Sequence, residues 1–186
     1  MAQLVDRFGA PNLKPRRLPP FQALAHAIIH QQLSGAAAGT ILKRFVALFD
    51  GDSFPPPHEV IRLDVDRLRT AGLSRPKAHY IRDLAQKAMD GVVPSLKECD
   101  SLSDAELLER LTSIKGVGRW TVEMLLIFNL GRPDVLPVHD LGVRRGFKVA
   151  YRKRNAPTPE QLDRFGVRWS PYRSTAAWYL WQAADL

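Results

Sequence analysis

A glycine-containing turn and a single aspartate carry the chemistry that this sequence could perform. The turn is Gly116-Val117-Gly118, and Asp140 follows it in the chain. Glycine allows positive φ and places no Cβ between the backbone N–H groups and a ligand, so such a turn can bind a phosphate group. A fixed carboxylate nearby can stabilise a developing positive charge and position a water molecule. Together the two features indicate chemistry on a nucleic acid.

Both features also have a purely structural interpretation. The two glycines could close an ordinary connection between helices, and Asp140 could cap the helix predicted over 141–151. The flanking Ile114 and Val117, with a helix start at Trp120-Thr121, favour phosphate binding for the turn. A capping aspartate can still act on a substrate, so the cap and a catalytic role are compatible.

Helices must position the turn and the aspartate. Ser103 and Glu106 form a capping box that starts the helix leading into the turn. Thr121 to Leu130 has the pattern of the helix that leads out. Asp140 then lies in a loop bracketed by Pro137 and Gly142, which favours a well-defined local backbone.

The remainder of the chain is predicted to be helical as well. Apolar residues repeat with a helical period, and Pro, Ser and Thr provide start signals. No alternating apolar run is long enough to require a strand, so we expect an all-α fold. The predicted helices cover 21–30, 36–49, 57–63, 64–71, 74–89, 103–111, 121–130 and 141–151, two more begin at Thr158 and Ser170, and residues 50–57 form a loop.

Charge and cysteine content restrict the class of protein. The chain has 186 residues, of which 27 are basic and 19 acidic, and a pI of about 10.0. A net charge of +8 favours a polyanionic partner, and among such partners nucleic acid over an acidic membrane surface, so we expect no membrane partner. The alternative is that the charge serves only solubility. No apolar run approaches the roughly 18 residues of a transmembrane helix, and the start of the chain does not resemble a signal peptide.

The single cysteine restricts cofactors and location. Cys99 alone excludes an intrachain disulfide, a four-cysteine zinc site and a four-cysteine iron–sulfur cluster. We therefore expect neither zinc nor an iron–sulfur cluster. Cysteine usage also favours a reducing, cytoplasmic location, associated with the nucleoid if the source is bacterial.

Four segments together resemble one protein family. They cover 27–34, the turn region 111–121, 136–140 and 171–181. Their residues and order resemble the helix-hairpin-helix DNA glycosylases, and within them the alkylation-repair branch of the DNA-3-methyladenine glycosylase II type. The resemblance extends over about residues 18–186.

The resemblance implies a fold and a domain organisation. The fold would be the all-α, two-lobed helix-hairpin-helix glycosylase fold, with the active-site cleft between the lobes. One glycosylase domain would cover 1–186, with the hairpin at about 103–130. The lobes would cover about 21–100 and about 101–186, the latter together with the N-terminal segment. We expect the compact form, which lacks the N-terminal β domain of longer members.

The resemblance also implies an activity. A member of this branch excises alkylated purines such as 3-methyladenine from double-stranded DNA and leaves an abasic site. Asp140 aligns with the catalytic aspartate. Trp120 stands where relatives that cleave the strand have a Schiff-base lysine, so we expect a monofunctional glycosylase. The alternatives are a non-catalytic DNA-binding module and a glycosylase for deaminated or oxidised bases.

Residues for base flipping follow from the same resemblance. Trp120 and Trp181 would line the base pocket, and Met124 lies where a well-known relative has an aromatic residue. Gln32 aligns with the wedge that fills the gap left by the flipped base, with Leu33 as the alternative. Without the resemblance, a tryptophan on a helix is usually a core residue and paired glutamines are usually solvated surface.

Contacts to the DNA backbone complete the expected site. The hairpin residues are Lys115, Gly116, Val117, Gly118 and Arg119, and the basic helix after Asp140 adds Arg144, Arg145 and Lys148. The basic helix could equally be a solvated face. By resemblance, the backbone carbonyls of Thr112, Ile114 and Val117 would bind a Na⁺ or K⁺ ion. We expect no other required cofactor, and a monomer.

Overall fold

The structure is a computed structural model that describes residues 1–50 and 53–186. These residues form helices and loops and contain no strand, which confirms the all-α prediction. The predicted loop over 50–57 includes 51–52, which lie outside the described residues. None of the described helices is long and apolar enough to cross a membrane.

The described α-helices range in length from 4 residues in the shortest to 15 in the longest. Leu125–Leu130 form a π-helical segment, and Val167–Trp169 form a 3-10 turn. In chain order the α-helices are α1 (Ala2–Phe8), α2 (Pro20–His30), α3 (Gly35–Val46), α4 (Pro57–Val60), α5 (Val65–Arg69), α6 (Arg75–Met89), α7 (Leu96–Ser101), α8 (Asp104–Thr112), α9 (Arg119–Met124), α10 (Leu141–Ala150), α11 (Pro159–Gly166) and α12 (Arg173–Ala184).

Local capping explains where several helices begin. The predicted capping box at the start of α8 is present, because Ser103 and Glu106 exchange side-chain-to-backbone hydrogen bonds. Thr158 and Gln161 form the same arrangement at the start of α11. The last helix begins at Arg173 rather than at Ser170, because Ser170 and Pro171 remain outside the helical backbone.

The sequence pattern does not predict two of the described helices, α1 and α7. In α7, Ser95 and Glu98 form a further capping box, which is a local signal. In α1, the informative contact is long-range: Leu4 packs against Tyr179 and Ala183 near the other end of the chain.

The described residues form two compact units, Arg17–Leu125 and Met1–Arg16 with Leu126–Leu186. In the first unit, α6 contacts α2, α4 and α5, and the hairpin between α8 and α9 belongs to this unit. The sequence-based division at about residue 100 instead grouped the hairpin with the C-terminal residues. The buried apolar residues of α2 and α6 are Leu24, Ala25, Ile28, Ile29, Ala78, Ile81, Leu84 and Ala85.

The second unit is built around the contact between α10 and α12. Gly146 permits this contact, because a Cβ at that position would overlap the backbone carbonyl of Leu180. The core of the unit consists of Leu136, Val143, Phe147, Leu162, Ala177 and Leu180. The loop that carries Asp140 enters this core directly before α10.

Candidate functional site

Asp140 occupies the N-cap of α10 and is half-buried. Its Oδ1 accepts a hydrogen bond from the backbone N–H of Val143 at 2.8 Å. The same oxygen accepts a second hydrogen bond from the indole Nε1 of Trp181 at 2.9 Å. The predicted cap is therefore present. Two donors on one oxygen restrict the orientation of the carboxylate, as a catalytic group requires.

Trp181 lies beside Asp140 and is itself held in place. Its ring centroid is 5.5 Å from that of Phe128, with the two planes inclined by 34°. Gly142 allows the start of α10 to lie close to the Trp181 ring. A Cβ at this position would lie 3.0 Å from Cδ1 of Trp181 and 3.1 Å from Oδ1 of Asp140. The sequence predicts Trp181 only as a pocket residue and gives no sign of the hydrogen bond.

The loop before Asp140 is anchored to the start of α12 by an ion pair. Arg173 donates from Nε to Oδ1 of Asp134 at 2.8 Å and from Nη2 to Oδ2 at 3.0 Å. The hydroxyl of Ser170 donates to the same Oδ2 at 2.8 Å. The hydrogen bonds from Arg173, with a smaller effect from Ser170, hold the pKa of Asp134 at about 2. This bidentate pair fixes the loop six residues before Asp140.

Ser174 provides a second anchor for the same loop. Its buried hydroxyl donates to the carbonyl of Arg132 at 2.6 Å and accepts from the N–H of Val135 at 3.0 Å. Its backbone N–H donates to the carbonyl of Pro133 at 3.0 Å. Arg173 and Ser174 lie in the segment 171–181 that resembles the family, but the sequence alone assigns them no role.

The hairpin between α8 and α9 needs one glycine for its conformation. Gly116 has φ +82°, and a Cβ there would overlap the ring of Tyr80. Gly118 has an ordinary φ of −93° and no heavy atom within 4 Å of a Cβ position. Of the two glycines, only Gly116 uses the positive φ that glycine allows. Gly118 instead leaves open space beside the start of α9, where a ligand could approach the backbone.

Two hairpin N–H groups are already bonded within the protein. The N–H of Lys115 donates to Oδ2 of Asp83 at 2.9 Å, and the N–H of Val117 donates to the carbonyl of Ile114 at 3.0 Å. The Lys115 side chain is 75% exposed, with Nζ 4.0 Å from Asp83. Lys115 is one of the predicted phosphate contacts of the hairpin. Because its N–H is already bonded, it could reach a phosphate only through its side-chain ammonium group.

Three further predicted residues lie on α9. Trp120 is 48% exposed, which is incompatible with the core alternative, and Met124 lies one turn later and is half-buried. Arg119 donates from Nε to Oε1 of the buried Glu123 at 3.0 Å. An exposed Trp120 with the half-buried Met124 one turn later is an arrangement that a base-binding surface would need.

The predicted wedge lies in the turn after α2. Gln32 and Leu33 are both exposed, and Gln32 has φ +57°, which is uncommon for a residue other than glycine. The preceding Gln31 donates from Nε2 to the carbonyl of Gly116 at 2.9 Å. The turn and the hairpin are thereby joined. The sequence alone gives no sign of this role of Gln31.

The basic helix α10 divides into structural and exposed residues. Arg144 is half-buried and donates from Nε to the carbonyl of Pro157 at 2.8 Å, so this side chain supports the fold. Arg145 and Lys148 are exposed and lie one turn apart. Among the residues that the structure describes, no group of three or more His, Cys, Asp or Glu side chains could hold a metal ion.

Curated relatives resemble the whole chain. DNA-3-methyladenine glycosylase 1 of Schizosaccharomyces pombe is 39% identical over 186 residues, which cover 100% of this chain and 81% of that protein. The alkylbase DNA glycosidase-like protein of the same yeast is 36% identical over 187 residues, with coverages of 100% and 88%.

Solved structures resemble the fold closely. The S. pombe 3-methyladenine DNA glycosylase in complex with abasic DNA has a TM-score of 0.86 at 38% identity, covering 100% of this chain and 91% of that one. DNA-3-methyladenine glycosidase from Bacillus halodurans has a TM-score of 0.88 at 37% identity, with coverages of 98% and 83%. Residues 25–171 match the HhH-GPD superfamily base excision DNA repair protein family. The chain therefore belongs to the HhH-GPD superfamily of base excision DNA repair proteins.

Proposed function

We propose that this protein is a base-excision-repair glycosylase that hydrolyses the N-glycosidic bond of alkylated purines in double-stranded DNA. The observation that carries the proposal is the Asp140 carboxylate, oriented by Trp181 and by the N-terminus of α10. Two relatives, a DNA-3-methyladenine glycosylase at 39% identity and an alkylbase DNA glycosidase-like protein at 36% identity, support the substrate class.

Asp140 would act on the sugar rather than on the base. As the N-glycosidic bond breaks, positive charge develops on the sugar ring, and a fixed carboxylate stabilises it. The same carboxylate can position the water that adds to the anomeric carbon and accept its proton. An alkylated purine carries a positive charge and leaves readily as a neutral base, so the reaction requires no strong acid.

Trp120 and Met124 would receive the flipped base. The electron-rich face of an exposed indole attracts a cationic purine, by about 1–2 kcal/mol when the contact is dry. Methionine adapts to irregular shapes, so this surface would accept more than one alkylated purine. The range of bases that the protein excises can be measured with a panel of duplexes that contain alkylated, deaminated or oxidised bases. Alkaline cleavage after incubation reports each excised base.

The hairpin and α10 would bind DNA phosphates. The exposed ammonium of Lys115, the open backbone at Gly118 and the exposed Arg145 and Lys148 supply positive charge without sequence preference. Among the hairpin carbonyls, those of Thr112, Ile114 and Val117 would hold a Na⁺ or K⁺ ion. The donor set fits, because neutral oxygens suit hard cations and the Ile114 carbonyl has a second lone pair besides the one accepting from Val117. Such an ion would supply positive charge beside a phosphate.

The protein would leave the DNA strand intact. Schiff-base chemistry needs an amine, and the residue at the corresponding position, Trp120, has none. Borohydride trapping on a lesion-containing duplex should give no covalent complex, while heating in alkali should reveal an abasic site. Trapped protein would contradict this part of the proposal.

The decisive experiment replaces the carboxylate. Asp140→Asn keeps the shape and the acceptor oxygen but removes the charge, and base release should fall by about 100-fold or more. Asp163→Asn, an equivalent change at an exposed position of α11, is the matched control and should retain full activity. Unchanged base release by Asp140→Asn would rule out a catalytic role for Asp140, whereas no base release by the wild-type protein would favour the non-catalytic DNA-binding alternative.

We also propose a monomeric enzyme in the cytoplasm. The single cysteine is a buried free thiol, as expected in a reducing compartment. Light scattering across a concentration series and fractionation of the source cells test the two statements separately.

A further inference from the structure

Lys77 lies at the end of α2, although it belongs to α6. Its half-buried Nζ donates to the backbone carbonyl of Ile29 at 2.8 Å and to that of Gln31 at 2.6 Å. These carbonyls belong to the last turn of α2 and its C-cap, which lack intrahelical partners. A cation at this position is favoured by the helix dipole and satisfies both groups.

Gln31 extends this contact to the hairpin. Its backbone carbonyl binds Lys77, while its side chain donates to the carbonyl of Gly116 at 2.9 Å. The next residue is Gln32, whose positive φ and exposure place it at the tip of the turn. The turn that carries the predicted wedge is thus held on both sides.

The same face of α6 also supports the hairpin directly. Tyr80 lies three residues after Lys77, and its ring occupies the space where a Cβ of Gly116 would stand. Asp83 lies three residues further and accepts the N–H of Lys115 at 2.9 Å. Residues three apart lie on one face of a helix, so one stripe of α6 contacts both elements.

We infer that Lys77 is a positioning residue that holds the Gln32 turn at a fixed place relative to the hairpin, so that phosphate binding and insertion of the wedge occur together. The inference rests on the proposed function. Inserting a side chain into the base stack requires unstacking a base, which is energetically unfavourable. A turn that is held loosely would place the wedge less accurately and would stabilise the unstacked state less. Lys77 itself touches neither the base nor the sugar.

The test compares a paired lesion with one that is already unstacked. Lys77→Met removes the donors but keeps the chain length, and excision of an alkylated purine from a normal pair should fall by about 10- to 100-fold. The loss should shrink to about threefold or less when the alkylated purine lies in a bulge, because less unstacking is then needed. Affinity for undamaged duplex should be unchanged, and Lys77→Arg should retain most of the activity.

Two further variants separate positioning from folding. Lys97→Met removes one exposed lysine from α7 in the same unit and should behave like wild type. Gln31→Leu breaks only the link to Gly116 and should reproduce the paired-lesion defect, which keeps the inference testable if Lys77→Met does not fold. The double variant Lys77→Met/Gln32→Ala should lose no more excision activity on the paired lesion than Gln32→Ala alone. This non-additivity would show that both residues act in insertion of the wedge.

The outcomes distinguish this inference from the proposed function. If wild type releases no base, the proposed function fails. If wild type is active, two results would overturn only the positioning role of Lys77. In one, Lys77→Met and Gln31→Leu lose no excision activity; in the other, they lose the same fraction of activity on paired and on bulged lesions.

Discussion

The indole Nε1 of Trp181 and Oδ1 of Asp140 are joined by a hydrogen bond of 2.9 Å between two distant parts of the chain. The tryptophan therefore orients the carboxylate in addition to its predicted part in the base pocket. Trp181→Phe keeps the aromatic surface but removes the donor. We expect kcat for base release to fall by about tenfold with little change in KM, because orientation matters in the transition state. Trp178→Phe on the same helix is the control, and equal kinetics for both variants would contradict the orienting role.

Gly142 allows Asp140 and Trp181 to lie close together, because it has no side chain between them. A Cβ there would press on both Trp181 and Asp140 at 3.0 and 3.1 Å. Gly142→Ala should therefore lower activity several-fold by displacing the carboxylate or the ring. Gly39→Ala in α3, where a Cβ would meet no heavy atom within 4 Å, should leave activity unchanged and raise the free energy of unfolding by about 0.5–1 kcal/mol. Single-turnover excision and chemical denaturation measure the two effects; undiminished activity in Gly142→Ala would count against a tight pair.

Asp134 links acid stability to the loop that carries Asp140. Its pKa is about 2 in the folded protein, below the ordinary 3.8, so the unfolded chain binds more protons in this range. The stabilisation is complete above pH 3.8 and is lost as the pH falls toward about 2. Because the pair is about a third exposed, we expect roughly 1–2 kcal/mol.

Denaturant titrations at several pH values test this contribution. Asp134→Asn should remove it and give a shallower fall of stability between pH 4 and pH 2. Asp163→Asn, at an exposed site on α11, should retain the wild-type slope. Identical slopes for all three proteins would show that the ion pair does not contribute.

The basic helix α10 offers a test of phosphate contacts. Arg145→Gln/Lys148→Gln should weaken duplex binding about equally for all sequences and reduce the slope of log affinity against log salt by about 2. Arg144→Gln should instead lower stability, because Arg144 bonds the carbonyl of Pro157. Fluorescence anisotropy across a salt series gives the slope. A slope unchanged in the double variant would mean that this face is merely solvated.

Local sequence signals determined much of the helical architecture. Capping boxes such as Ser103 with Glu106 act within one turn, so their residues can be recognised without knowledge of the fold. The end of α3 is harder to predict from the sequence. The apolar pattern predicts helix to Phe49, but α3 ends at Val46. The helix leading out of the hairpin changes to π-helical backbone at Leu125, which the apolar spacing does not reveal.

The sequence by itself identified the family, the hairpin and Asp140 as the candidate catalytic residue, because these depend on residue types at short spacing. Only the tertiary structure decided how the site is held together. The partners of Asp140 and Gln31 are Trp181 and Lys77, which lie far away in the chain. Such contacts form when helices pack, and their distances depend on the whole core between them. No local pattern could therefore reveal which side chains orient the carboxylate and the wedge turn.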